Sequence, residues 1–250
     1  MEGFFVCHQI VILAAGKGTR MGSDIPKVLL PINKKPVVSY ILDEIKLIPQ
    51  ASKPIIVVGF QEQLVKYTLG PDYLYVTQED QKGTAHAVLS AKSAITAEHF
   101  IVLNGDMPFT KRESLMKLIE SHLVSKAKVS MFTVTLPNFE DEYSHFLSWG
   151  RIVRAEDGTV IKIQEYKDSS EEQKLITEVN TGTYMFDSAW LWEKLEKISD
   201  NNAQHEFYLT DIVELAIVDG QHINALVISA KEAYGINNPD DLEFARKLTS

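Results

Sequence analysis

The sequence predicts an α/β fold: a Rossmann-like, mixed and mainly parallel sheet with helices on both faces and a lobe inserted through its second half. Three observations predict it. Short continuous apolar runs at Ile10 to Ala15, Ile55 to Gly59 and Phe100 to Leu103 have the length and β-branched content of strands buried on both faces. Helical stretches separate them, which is the βαβ pattern of a parallel sheet. The first run breaks into Gly16-Lys17-Gly18-Thr19-Arg20-Met21, and loops at the ends of parallel strands are where such sheets form ligand crevices.

In chain order, the first run is a strand and Val37 to Leu47 a helix. Ile55 to Gly59 is a strand, Gln61 to Leu69 a helix, Leu74 to Thr77 a short strand, and Ala85 to Ala94 a helix of small residues. Phe100 to Leu103 is the next strand. Thr110 is expected to cap a helix over Lys111 to Ser121, with Glu113 completing a capping box. After the apolar segment Val129 to Val134 the pattern changes. Residues 137–148 read as a polar and aromatic loop. Gly150 to Arg154, Val160 to Tyr166 and Val179 to Phe186 read as strands, the first two joined by a turn at Asp157-Gly158. Residues 168–176 read as a flap or short helix. Ala189 to Lys197 and Asp211 to Val218 read as helices, Asn224 to Ile228 as a strand, and Pro239 to Leu248 as a closing helix capped by Asn238. No linker composition marks a boundary, so one unit is expected: a first half over about 10–135, a lobe over about 136–235, and the closing helix from 236.

The 250 residues, 45% of them apolar, suffice for a full core. A net charge of −9 argues against broad nucleic-acid or membrane binding. The single cysteine, Cys7, is expected to be a small buried residue and rules out a disulfide framework. The start lacks the pattern of a signal peptide, and no apolar run is long enough to span a bilayer, so a cytoplasmic protein is expected.

Against this acidic background, the loop after the first strand is basic. Lys17, Arg20 and Lys27 place three cations within a dozen residues, and Gly16 and Gly18 let backbone N–H groups approach a ligand. The combination suits several phosphates, as in a nucleoside triphosphate. The glycine spacing does not fit a P-loop, and Met21 stands where a dinucleotide fingerprint needs its third glycine. Asn104-Gly105-Asp106 follows the strand at Phe100. A carboxylate there faces the crevice and can hold Mg²⁺, or can simply start a turn.

Leu13-Ala14-Ala15-Gly16-Lys17-Gly18-Thr19-Arg20-Met21 with Pro26-Lys27 resembles the signature of the sugar-1-phosphate nucleotidyltransferases. Later segments are most similar to the N-terminal pyrophosphorylase domains of bifunctional N-acetylglucosamine-1-phosphate uridyltransferases. The resemblance runs over about residues 10–245. It implies a type A nucleotidyltransferase fold, in which the lobe binds the sugar, and Mg-dependent uridylyl transfer from UTP to a sugar-1-phosphate. By it, Arg20 and Lys27 serve the reacting phosphates, and Asp106 with Asn237 holds Mg²⁺. Leu13, Ala14, Ala15, Gly16, Gly18, Thr19, Gln78, Gly83 and Thr84 bind the nucleotide, with Gln78 and the backbone at Gly83 on the uracil. Asn104, Gly150, Glu165, Asn180, Tyr208 and Thr210 line the sugar site, Asn180 being expected to read an acetamide. His86 is expected to be packing or surface.

Three departures from the family pattern stand out. Asn104-Gly105-Asp106 replaces Tyr-Gly-Asp, Trp149-Gly150-Arg151 replaces Tyr-Gly-Arg behind a longer loop, and the chain ends before any hexapeptide repeat. They leave two alternatives open: another acceptor such as glucose-1-phosphate, or a non-catalytic nucleotide-sugar sensor. Retention of Arg20, Lys27, Asp106 and Asn237 together argues against the sensor.

Overall fold

The computed structural model describes residues 8–249; Cys7 lies outside them. The strands and helices, in chain order, are β1 (Gln9–Ala14), β2 (Pro31–Ile32), β3 (Lys35–Pro36), α1 (Val37–Lys46), β4 (Ile55–Val58), α2 (Glu62–Leu69), β5 (Leu74–Thr77) and α3 (Thr84–Ser90). There follow β6 (His99–Asn104), α4 (Arg112–Ser125), β7 (Val129–Thr135), β8 (Arg151–Arg154), β9 (Val160–Gln164), α5 (Glu171–Lys174) and β10 (Glu178–Asp187). The chain closes with α6 (Ser188–Leu195), α7 (Asp211–Val218), β11 (Ile223–Val227), α8 (Ala230–Ala233) and α9 (Pro239–Leu248).

The main sheet has the order β11-β7-β10-β6-β1-β4-β5, with the β8–β9 hairpin attached through β10. β10 alone runs against the other strands of that path. β1 is central, paired in parallel with β4 on one side and β6 on the other. Successive strands are therefore added first to one side of β1 and then to the other, which opens a crevice beyond the C-terminal ends of β1 and β6. Leu13 is paired with Asn104 at that end.

Alternation along each strand divides the core. Val11, Ile55, Val57, Phe100 and Val102 point to the face covered by α3, α6 and α7. Ile10, Ile12, Ile56, Val58, Ile101 and Leu103 point to the face covered by α1 and α4. Both faces are apolar, so the strands read as unbroken hydrophobic runs.

Several local expectations change. The helix expected at Lys111 begins at Arg112 and runs to Ser125, and no side chain of its own caps it. Glu232 accepts from the Lys111 N–H and Glu44 from the Arg112 N–H, while Glu113 pairs with Arg112. Distant carboxylates thus do the capping that Thr110 and Glu113 were expected to do. The stretch expected to be a loop at 137–148 contains a 3-10 helix over Asp141–Ser148, anchored by the fully buried Phe146. Tyr166 belongs to a 3-10 turn after β9 and not to the strand. The Asn238 cap holds, as a reciprocal capping box with Asp241. Within the lobe, β10 sits inside the main sheet, and the β8–β9 hairpin is attached through it. Among the described residues, no helix is long and apolar enough to cross a membrane.

Candidate active site

Two clefts adjoin beyond β1 and β6. The first, of about 420 Å³, is lined by Leu13, Ala14, Ala15, Gly16, Lys17, Gly18 and Thr19 from the loop after β1, and by Gln78, Gly83 and Thr84 across from it. The second, of about 550 Å³, is lined by Trp149, Gly150, Glu165, Asn180 and Asn237 among others. Thr19, Arg20, Asn104 and Asp106 line both, so they form the seam between the clefts. A third recess is lined by Asn104, Glu165, Asn180 and Thr210 among others.

The charged groups expected at the reacting centre meet at this seam. Lys27 donates to Asp106 and, at 3.1 Å, to Oδ1 of Asn237. Arg20 donates to the same Oδ1 at 3.1 Å. The stem of Lys27 rests on Gly18, where any Cβ would collide with its own. Asn237 is held from behind, because Asp241 accepts its backbone N–H at 2.8 Å and that of Asn238 at 3.1 Å. The capping carboxylate of α9 thereby fixes the loop that presents Asn237.

Gln78 is 4% exposed at the end of β5. Its amide nitrogen faces the Gly83 carbonyl at 3.1 Å and Nδ1 of His86 at 3.0 Å. Both amide hydrogens are used within the protein, and the acceptor Oε1 remains. His86 therefore orients Gln78, a role its sequence position did not suggest. Gly83 lines the first cleft and is also required by packing: at φ +108°, a Cβ would strike the Phe207 backbone. Ala85 N–H donates to the Phe207 carbonyl and Leu209 N–H to the Thr84 hydroxyl, so α3 carries the 207–210 segment.

On the sugar-side wall, Thr210 donates to Glu165 at 3.0 Å. Burial pushes the Glu165 carboxyl above its ordinary pKa against the help of Thr210, and Asp211, Asp168 and Glu206 add to the rise. Burial, with Glu214 adding to it, lifts Asp211 to about 6. Asn180 lines the second cleft and the recess, and its amide is also engaged within the protein: its Nδ2 donates to the Tyr184 hydroxyl at 2.7 Å and its Oδ1 accepts from the Gly182 N–H at 3.0 Å. Tyr208 is buried and lines neither of these two clefts. Residues 208–211 form a turn in which the Asp211 N–H reaches the Tyr208 carbonyl. Arg151 is fully buried and serves as scaffold, its guanidinium on the carbonyls of Trp149, Leu147 and Lys174. Sequence reasoning missed Gln81, Met107 and Lys167 as lining residues. Each lies close in sequence to an expected site residue: Gln81 between Gln78 and Gly83, Met107 next to Asp106, and Lys167 two residues after Glu165.

The family model for MobA-like NTP transferase domains matches residues 10–179. The chain belongs to this family. It is therefore a nucleotidyltransferase with an α/β nucleotidyltransferase fold. The chain is 40% identical over 246 residues to bifunctional protein GlmU of Exiguobacterium sibiricum, covering 97% of this chain and 53% of that one. To the GlmU of Geobacillus thermodenitrificans it is 41% identical over 251 residues, covering 97% and 52%. The chain thus spans about half the length of the curated relatives it matches. Among solved structures, HddC from Yersinia pseudotuberculosis shares the fold with a TM-score of 0.67 at 22% identity, covering 97% of this chain and 99% of that one. The CMP:2-keto-3-deoxy-manno-octonic acid synthetase complexed with CTP does so with a TM-score of 0.69 at 15% identity, covering 97% and 98%.

Proposed function

We propose that this nucleotidyltransferase joins UTP to N-acetylglucosamine-1-phosphate, giving UDP-N-acetylglucosamine and pyrophosphate. The observation that carries the reaction is the seam: a cationic, polar junction of Lys27, Arg20, Asp106 and Asn237 between one cleft suited to a nucleotide and another suited to a sugar. The similarity to GlmU over nearly the whole chain supports the choice of sugar and base.

A phosphate oxygen of the sugar-1-phosphate attacks the α-phosphorus of UTP. The bond to the β-phosphate breaks, and pyrophosphate leaves with the electron pair. The attacking oxygen is already anionic, so no general base is required. Catalysis rests on holding two anions in line and neutralising their charge. Lys27 lies between the α-phosphate and the sugar phosphate, and Arg20 takes the β- and γ-phosphates and the departing pyrophosphate. Oε1 of Gln78 accepts from the N3–H of uracil, a proton that cytosine lacks. Glu165 and the N–H of Gly150 meet sugar hydroxyls.

Mg²⁺ fits this donor set. Asp106 and Asn237 turn side-chain oxygens toward one point, the Lys27 ammonium, and two protein oxygens completed by phosphate oxygens and water are the pattern Mg²⁺ prefers. When bound, the ion screens the approaching phosphates and polarises the α-phosphate. Pyrophosphate release with UTP, Mg²⁺ and a panel of sugar-1-phosphates tests the reading. Release that depends on N-acetylglucosamine-1-phosphate supports it, and release with none of the panel overturns it.

A further inference from the structure

We propose that His145 is a positioning residue for Asn237: the inserted segment Asp141–Ser148 seats Tyr234 and, through it, fixes the loop that presents the Asn237 amide oxygen to a metal ion. The inference rests on the Mg²⁺-assisted reaction proposed above. It gives a task to the longer loop ahead of Trp149, which sets this chain apart from the family pattern.

The segment is fastened by one residue and reaches out with its neighbour. Phe146 is fully buried in a cluster with Val134 of β7, Val179 of β10 and Ala233 of α8, so it pins the 3-10 turns to the sheet. His145 lies against Tyr234, with ring centroids 3.9 Å apart, and against Phe146 at 3.8 Å. Its Nδ1–H donates to the Glu142 carbonyl at 3.0 Å, while Nε2 is buried with no hydrogen-bond partner among the described residues. Burial lowers the ring's pKa to about 4 against the help of the Glu142 carbonyl, so the ring is neutral at pH 7. Its contact with Tyr234 is therefore aromatic packing and carries no charge.

Tyr234 passes this contact on. It is 5% exposed and stands three residues before Asn237. Its hydroxyl donates to Oδ1 of Asp241 at 3.4 Å, and Oδ2 of the same carboxylate accepts the N–H groups of Asn237 and Asn238. Between them, the Ile236 N–H donates to the Asp106 carbonyl at 2.9 Å, which ties the loop to the other oxygen ligand of the proposed metal site. The Trp149 ring lies against Gly235, where a Cβ would stand 3.3 Å from Cζ2. The loop over 234–238 is thus held by Asp241, by Asp106 and by the aromatic rings at and before Trp149.

The seat matters because Tyr234 borders open space. A hollow of about 200 Å³ beside it is lined by Tyr143, His145, Phe146 and Phe244 among others. Without the His145 ring, Tyr234 can turn into that hollow and its hydroxyl leaves Asp241. The Asn237 oxygen then loses its fixed relation to Asp106. An ion that demands near-ideal octahedral geometry is sensitive to that loss. Nε2 takes no part, so a phenyl ring can fill the same seat.

The test titrates Mn²⁺ into protein with UTP and reads bound metal by paramagnetic resonance, below the melting temperature of every variant. His145→Ala should weaken Mn²⁺ binding about tenfold, the lower end of what partners behind a ligand contribute. His145→Phe should restore the wild-type affinity. Asp187→Ala, which removes the cap of α6 at the opposite end of the sheet, should lower the melting temperature and leave Mn²⁺ affinity unchanged. The proposal is overturned if His145→Ala binds Mn²⁺ like wild type, if His145→Phe binds as weakly as His145→Ala, or if Asp187→Ala weakens binding as much as His145→Ala. A wild type that binds no Mn²⁺ would overturn the metal assignment and this proposal with it. A wild type that binds Mn²⁺ but releases no pyrophosphate would overturn the reaction alone, and the affinities of the variants would still decide the role of His145.

Discussion

The Lys27 ammonium bonds directly to the Asp106 carboxylate, joining the loop after β1 to the turn after β6, and the same nitrogen reaches Asn237 from the far end of the chain. Three distant segments are thus tied at one point, on the seam between the two clefts. The bonds are made within the protein, so Lys27 must exchange part of this contact for phosphate oxygens when substrates bind.

Lys27→Ala should therefore lower turnover by about 10²–10³-fold, the scale for loss of one well-placed group that neutralises transition-state charge. The Lys27 head group contributes little to the core, so far-UV circular dichroism should be unchanged. Steady-state kinetics on the folded variant make the check, and near-wild-type kcat would remove Lys27 from the mechanism.

The paired oxygens of Asp106 and Asn237 predict how the site responds to metal. Asp106→Asn should abolish Mg²⁺-dependent turnover, and Asn237→Ala should raise the Mg²⁺ concentration needed for half activity. Paramagnetic resonance of Mn²⁺ titrated into protein and UTP should show weakened binding in both variants. Full turnover in the presence of a strong chelator would contradict the assignment.

Gln78 predicts base choice. Its donors are spent on Gly83 and His86, so the remaining acceptor suits uracil and meets an unprotonated nitrogen in cytosine. UTP should exceed CTP in kcat/KM by about tenfold or more, the cost of one unmatched buried polar contact. His86→Ala should narrow the ratio by releasing the Gln78 amide. Equal use of the two triphosphates would show that Gln78 does not read the base.

The strands and the crevice were legible because a strand buried on both faces announces itself as an unbroken apolar run. β1, β4 and β6 were found to within a residue or two, and the basic loop after β1 does meet Asp106 and Asn237. What the sequence concealed were contacts made by residues far apart. The α4 cap comes from Glu44 and Glu232, and no local pattern encodes a carboxylate 68 or 121 residues away. The engagement of Asn180 by Tyr184 and Gly182 depends on a register slip in β10, which alternation alone does not mark.

At the opposite end of the sheet, His122 is fully buried, with Nδ1 on the Ser130 hydroxyl at 2.7 Å and Nε2 facing Nδ1 of His99 at 3.1 Å. Burial, reinforced by the neighbouring His99, lowers His122 to about 4 from an ordinary 6.5. Between those values the unfolded chain binds more protons than the native one, so stability is full above about 6.5 and falls as the pH drops toward 4. Complete expression of this shift corresponds to about 3 kcal/mol. Urea midpoints should fall between pH 7 and pH 5, and His122→Gln should flatten that dependence. An equal slope in the variant would assign the acid sensitivity to other groups.

In the proposed reaction a nucleotidyl group crosses the seam from one cleft to the other. UTP radiolabelled at the α-phosphate, incubated with N-acetylglucosamine-1-phosphate and Mg²⁺, tests it most directly. The α-label should enter UDP-N-acetylglucosamine, while γ-label supplied in a parallel reaction should leave in pyrophosphate. Label from the γ-position on the sugar, or α-label that stays in free nucleotide, would contradict it.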